Sequence, residues 1–175
     1  MTKEAIITAT RDAFHQLAKL GNGFNESAFF KKTGARWSAA ENFKHLILST
    51  NTSTLAYKLP RFIVQLIGGN PNRPSRSYDE VLAKYNGKLE AGGKASARYV
   101  PKDNEIKNGK DAILKKWNSS GEGFLSALAK NRTEADLDNY LVRHPLLGPI
   151  TLRELCYFTI FHTLHHVDTL KKMSS

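Results

Sequence analysis

The sequence predicts an all-α protein, a four-helix bundle with a short accessory helix and a long basic loop, in a single domain over residues 1–175. Two observations predict this fold class. Apolar residues recur at spacings of three and four along four long segments, which is the helical period. Three segments also begin with Ser or Thr followed three residues later by Glu, a capping box, while alternating strand patterns are thin.

The N-terminal third contains the first two long helices. The first is predicted over residues 6–20, and Gly21 follows as its C-terminal stop. The second is predicted over residues 39–59 after a capping box at Ser38, with Pro60 as a break or kink. This second helix is apolar around much of its circumference, which indicates that it is buried among several neighbours.

The middle of the chain alternates irregular and helical segments. Residues 67–76 are rich in Gly, Pro and Asn and predict a linker. The short accessory helix is predicted over residues 78–89, after a second capping box. Residues 91–108 lack a periodic pattern and predict the long basic loop. A third long helix is predicted over residues 110–130, although two glycines weaken its middle.

The C-terminal part contains an extended turn and the last helix. Residues 144–149 read His-Pro-Leu-Leu-Gly-Pro, an apolar turn that cannot be helical at its prolines. The third capping box, Thr151 to Glu154, then begins a helix predicted over residues 152–172.

Composition excludes several classes of protein. No stretch approaches the roughly 20 apolar residues that span a bilayer, and no apolar segment follows the N-terminus, so we expect a cytoplasmic protein without membrane partners. The single cysteine, Cys156, excludes an internal disulfide and a cysteine-rich zinc site, and we expect it to be a buried apolar residue. The net charge of +10 favours anionic partners, but no nucleic-acid-binding motif accompanies it.

The basic charge is concentrated in the middle of the chain. Residues 84–116 contain nine basic and four acidic residues, a net +5, which is half of the total. A solvated surface explains such a segment most simply. It could also help to hold an anionic substrate or thiol, and nucleic-acid binding remains an option motivated by the charge alone.

The histidines are the candidate functional residues of this sequence. His162 and His166 are one turn apart on the last helix, so they project from one face and could bind one metal ion. No Glu lies between them, which disfavours a zinc protease. A third ligand could come from His45, and three His ligands with open positions describe a catalytic-type site. His165 competes with His166, and each histidine could instead be a hydrogen-bonded core residue.

Three segments together resemble the DinB/YfiT-like superfamily of metal-dependent proteins. They are residues 37–46 (WSAAENFKHL), residues 144–151 (HPLLGPIT) and residues 162–166 (HTLHH), in the order of that family. The resemblance covers residues 5–54 and 137–170.

That resemblance implies a bundle of up-down-down-up connectivity, frequent homodimers and a divalent metal ion, nickel or zinc, in an open pocket. By position, His45, His162 and His166 would be its ligands. The family commonly has Gln three residues after the second metal histidine, where this chain has Thr169.

The function implied by the resemblance is that of a metal-dependent enzyme acting on a small molecule, as a transferase that uses a low-molecular-weight thiol or as a hydrolase. Many members of the family have no established reaction. The alternative is therefore a non-catalytic, stress-related binding module with a vestigial or structural metal site.

Overall fold

The structure is a computed structural model that describes residues 1–102 and 109–174. Residues 103–108, part of the predicted basic loop, lie outside the described residues. The described helices are α1 (Lys3–Gly23), α2 (Glu26–Phe30), α3 (Ala39–Lys58), α4 (Arg61–Gly68), α5 (Tyr78–Glu90), a 3₁₀ helix (Ala97–Tyr99), α6 (Gly109–Asn131), α7 (Glu134–Asn139) and α8 (Leu152–Ser174); the strands are β1 (Leu141–His144) and β2 (Gly148–Thr151).

The four long helices α1, α3, α6 and α8 form the predicted bundle. Lys3 at the start of α1 donates to the backbone oxygen of Ala129 near the end of α6, so these helices are antiparallel. The Tyr57 hydroxyl at the end of α3 donates to the Leu152 oxygen at the start of α8, so this pair is antiparallel too. The Met1 amino group contacts a tyrosine hydroxyl early in α8, which makes α1 and α8 parallel. The up-down-down-up connectivity is therefore confirmed.

Aromatic rings from three of these helices fill the core. The Phe14 ring of α1 lies 4.9 Å from the Trp117 ring and 5.9 Å from the Phe124 ring of α6, both edge to face. Phe43 of α3 reaches the same Trp117 ring at 6.1 Å. Edge-to-face pairs add to the free energy gained by burying apolar area, so this cluster holds α1, α3 and α6 together.

The three predicted capping boxes are present. Ser38 and Ser77 each accept from the backbone N–H three residues later, and the Glu there accepts from the N–H of the capping residue. Thr151 and Glu154 make the same reciprocal pair at the start of α8. A fourth capping box begins α7, between Thr133 and Asp136. Asp takes the place of Glu here, so the pattern of Ser or Thr followed by Glu does not find it.

The chain between the long helices contains more structure than the sequence predicts. α3 ends before Pro60, as predicted, but the chain turns directly into the short helix α4. The predicted turn over residues 144–149 is the tip of a hairpin, in which β1 pairs antiparallel with β2 and His144 lies opposite Gly148. Strands of four residues are too short to show a clear alternation, so backbone pairing forms here without a sequence signal.

The predicted linker over residues 67–76 is anchored to the last helix. The Arg73 guanidinium forms two hydrogen bonds with the Glu154 carboxylate, and Arg76 donates to the same side chain from its backbone N–H. Glu154 is buried, and its pairing with arginine is the arrangement that a buried carboxylate requires. Among the described residues, no helix has the length and apolar content that a membrane crossing requires.

Candidate metal centre

Three histidines from two antiparallel helices meet in the interior of the bundle. His45 comes from α3, and His162 and His166 come from successive turns of α8. One ligand nitrogen of each ring lies within 4.8 Å of the others, and each residue is at most 7% exposed. The structure thus brings together the three residues that the sequence analysis selected.

A backbone carbonyl determines the tautomer of His45. Its Nδ1 lies 2.8 Å from the oxygen of Tyr99 in the 3₁₀ helix. A carbonyl oxygen only accepts, so the neutral His45 ring carries its proton on Nδ1 and has a lone pair on Nε2. That Nε2 lies 3.1 Å from Nε2 of His162. The lone pair therefore points to the centre of the cluster.

Asn42 fixes the tautomer of His166 in the same way. Asn42 donates from Nδ2 to the Ser38 oxygen at 2.8 Å, which turns its amide oxygen towards α8. The His166 Nδ1 lies 2.6 Å from that oxygen and donates to it. His166 consequently has its lone pair on Nε2. Partners of this kind orient the histidines of protein metal sites and raise their basicity.

Burial keeps the three imidazoles neutral. Desolvation lowers the pKa of His45, and it lowers the pKa of His162 and His166 well below the ordinary value. The proximity of the other histidines lowers the pKa of His162 further, because each charged ring would repel the next. Only a neutral imidazole can ligate a metal, so the cluster is in its ligating form at neutral pH.

The donor set fits a divalent metal ion. With metal–nitrogen bonds of roughly 2.0–2.1 Å, two tetrahedral ligands lie about 3.3 Å apart, close to the 3.1 Å between the Nε2 atoms of His45 and His162. Within the described part of the chain, the cluster contains no fourth histidine, cysteine or carboxylate. Three imidazoles suit zinc and nickel, and they would leave coordination positions open.

The cluster opens into a cavity of about 510 Å³. Its walls come from α3, α4, α5, β1, α8 and the segment before Tyr99. His144 also lines it, next to the Phe158 ring, and its Nδ1 accepts from the backbone N–H groups of Leu146 and Leu147. The three histidines of the cluster line this cavity, and its volume is in the range of pockets that bind small molecules.

The structure separates His165 from the cluster. His165 is exposed and lines the cavity, and its ring stands perpendicular to that of His166 at 5.4 Å. Thr169, at the position where the family commonly has Gln, donates its hydroxyl to the His165 backbone oxygen. Asn42 supplies the hydrogen bond to His166 instead.

Other residues considered from the sequence lie outside the cluster. Cys156 is fully buried, with its sulfur 3.0 Å from the Tyr57 hydroxyl, and burial raises its pKa to about 12, so it is no nucleophile. Asp168 is an exposed carboxylate beside Lys171, as expected. Trp37 lies just before α3 and packs on the His45 ring at a centroid distance of 5.0 Å.

Sequence reasoning missed the two groups that orient the ligands. Asn42 lies about one turn before His45 on α3, so the sequence spacing alone places the two side chains on the same face of the helix. That spacing could have identified Asn42 as a partner of the histidine cluster. The Tyr99 contact uses a backbone oxygen, and therefore no residue type could have revealed it.

The fold and the cluster define a class of protein, an up-down-down-up helical bundle with three inward-facing histidines that line a cavity. Comparison of the sequence with known families gives a match to the DinB superfamily over residues 6–170. The chain belongs to that superfamily. No curated protein and no solved structure matches it significantly.

Proposed function

We propose that this protein is a metal-dependent enzyme in which His45, His162 and His166 hold one divalent ion, zinc or nickel, at the base of the cavity. The single observation that supports this most strongly is the convergence of the three histidines. Two of the three donate from Nδ1 to a fixed oxygen and present their Nε2 lone pairs inwards. Any buried histidine donates its N–H to an acceptor; what distinguishes this site is that one ring nitrogen from each of the three histidines lies within 4.8 Å of the others.

The residues of the chain have distinct roles in this proposal. Asn42 and the Tyr99 carbonyl hold the protons on the outer ring nitrogens, which keeps Nε2 of His45 and His166 free. Tyr85 and Phe158 line the cavity next to His162 and limit the access of water. A divalent ion in an open site of this kind is a Lewis acid, which lowers the pKa of a bound thiol or water.

The proposed reaction is the displacement of a leaving group from an electrophilic small molecule: the thiol sulfur or water oxygen forms the new bond, the bond to the leaving group breaks, and the proton of the thiol or water passes to that group or to solvent. A low-molecular-weight thiol would make the protein a transferase, and water would make it a hydrolase. Lys94, Arg98 and Arg143 line the cavity and favour anionic reactants. We propose that Cys156 has no part in either reaction, because it lies in the core and is protonated.

Elemental analysis of the purified protein tests the metal site. We expect about one equivalent of zinc or nickel in the wild type, and its loss in His45→Ala and in His162→Ala while circular dichroism reports unchanged helicity. His165→Ala is the matched control, because this histidine is on the same helix and lines the same cavity outside the cluster. It should retain the metal.

Two outcomes would contradict the proposal. A folded wild-type protein that cannot be loaded with nickel or zinc has no such site, and the non-catalytic binding module becomes the explanation. Equal loss of metal in His165→Ala would show that the cluster is assigned wrongly. A protein that passes both tests is then assayed with thiols and electrophiles, with the His162→Ala variant as the negative control.

Three further expectations stay predictions. They are a homodimer, a cytoplasmic location and a single domain over residues 1–175. Analytical ultracentrifugation tests the homodimer. Nucleic-acid binding, the option raised by the net charge of +10, is tested by measuring whether association with DNA or RNA weakens as salt is added.

A further inference from the structure

The cavity extends well beyond the histidines, and its far half is apolar. From His45 the lining follows α3 to Ala56, eleven residues further on, which is about 16 Å along the helix axis. The opposite walls are α4 and β1. The apolar lining of this half consists of Leu55, Ala56, Leu59, Val64, Ile67, Leu141 and Val142. We call it the apolar arm.

A glycine allows α4 to close the apolar arm. Gly68, at the end of α4, faces the backbone of Leu141 in β1, and a Cβ at this position would lie 1.8 Å from the Leu141 oxygen. Backbone can therefore contact backbone here, and no side chain fits between them. This contact holds α4 against β1, and the arm lies between α4 and α3.

Two large aliphatic residues of the apolar arm are exposed to solvent, and a ligand in the arm would cover them. Leu55 is 55% exposed and Ile67 is 58% exposed, although both are large aliphatic side chains. A contiguous exposed apolar surface marks a site of contact with a ligand, a partner or a membrane, because covering it gains free energy, and here the surface continues into a cavity.

Positive charge lines the same cavity. Lys94, Arg98 and Arg143 line it, and none of the lining residues that the structure describes is Asp or Glu. Within the described ranges, 1–102 and 109–174, none of the three forms an ion pair with a carboxylate. They are therefore available to an anionic group of a ligand.

We propose that the substrate is an amphipathic anion, a hydrocarbon chain with a carboxylate or similar group. The chain occupies the apolar arm, and the anionic group lies near Lys94, Arg98 and Arg143. This inference rests on the proposed function and deepens it, because it names the chain and the charged head group that the electrophilic substrate carries. The binding itself needs no metal, so it can be tested separately.

Calorimetric titration of the chelator-treated protein with dodecanoate tests the inference. Affinity should rise about fourfold per methylene from octanoate to dodecanoate, as expected for a chain that enters an apolar site. Dodecyltrimethylammonium carries the same chain with a cationic head and should bind at least roughly tenfold more weakly than dodecanoate, because the cavity is cationic.

Matched variants locate the bound chain and its head group. Leu55→Asp places a charge in the apolar arm and should weaken dodecanoate binding by about tenfold or more. Phe62→Asp is the control, because Phe62 is 68% exposed and does not line the cavity. Arg143→Ala should weaken binding by roughly fivefold, the worth of an exposed ion pair, whereas Arg11→Ala on α1 should have no effect.

Three results would overturn the inference: no saturable binding of dodecanoate, equal binding of the cationic probe, or equal effects of Leu55→Asp and Phe62→Asp. None of these results would contradict the proposed metal site, because that site is tested separately, by comparing the metal content of the wild type with that of His45→Ala. Conversely, if dodecanoate binds to a protein that cannot be loaded with metal, the proposal of a metal-dependent enzyme is refuted and the ligand site in the apolar arm is still supported.

Discussion

Two glycines in the middle of α6 should respond in opposite ways to the same substitution. Both reduce the helix propensity of this segment, and replacing a glycine inside a helix by alanine gains about 1 kcal/mol when nothing else changes. Gly123 has no atom within 4 Å of an added Cβ. We therefore expect Gly123→Ala to raise the free energy of unfolding by about 1 kcal/mol.

Gly121 occupies a tighter place. An added Cβ would lie 2.8 Å from the Phe14 ring, which is held between the rings of Trp117 and Phe124. The ring cannot retreat without disturbing these contacts, and overpacking of a core costs about 1–3 kcal/mol. After the gain in propensity, Gly121→Ala should lower the free energy of unfolding by up to about 2 kcal/mol.

Urea unfolding followed by circular dichroism measures both variants against the wild type. The midpoint of Gly123→Ala should rise and that of Gly121→Ala should fall, with unchanged slopes. Because the gain in propensity is common to both, the difference between the variants reports the contact with Phe14 alone. If Gly121→Ala were as stable as Gly123→Ala, the close packing of α1 on α6 would be refuted.

Two further predictions concern the histidines. Asn42→Ala removes the acceptor of the His166 Nδ1 proton and should weaken metal binding by about 10–100-fold in a folded protein, measured by competition with a chromogenic chelator; an unchanged affinity would deny Asn42 an orienting role. Burial lowers the pKa of His144 from 6.5 to about 4, so the unfolded chain takes up a proton first as the pH falls. This contribution to stability is complete above pH 6.5 and decreases towards pH 4. Between pH 7 and pH 5 the chelator-treated wild type should lose about 2 kcal/mol more than His144→Phe, by urea unfolding at each pH, and equal losses would contradict the prediction.

The sequence predicts the long helices well because the signals are local. Capping boxes at Ser38, Ser77 and Thr151 specify helix starts through contacts three residues apart, and all three are formed. Apolar periodicity likewise indicates which face of a helix is buried. The hairpin and α7 were not predicted, because the strands are short and the α7 capping box has Asp136 in place of Glu.

Part of the candidate site follows from the same local logic. His162 and His166 share a face of α8 because four residues make about one turn. The choice of His166 over His165, and the choice of His45 as the third member, came from the family resemblance. The structure puts all three rings together and leaves His165 exposed.

The four long helices, their starts and the paired histidines of α8 could be predicted from the sequence, because each depends on residues within one or two turns. Three features are visible only in the folded protein: His45 faces His162, Asn42 and the Tyr99 carbonyl fix the tautomers, and α4 and β1 enclose the apolar arm. The histidine contacts among these features join residues that are 54 to 124 positions apart in the sequence. They depend on how whole helices are rotated and crossed when the core packs, and no local pattern in the sequence encodes that geometry.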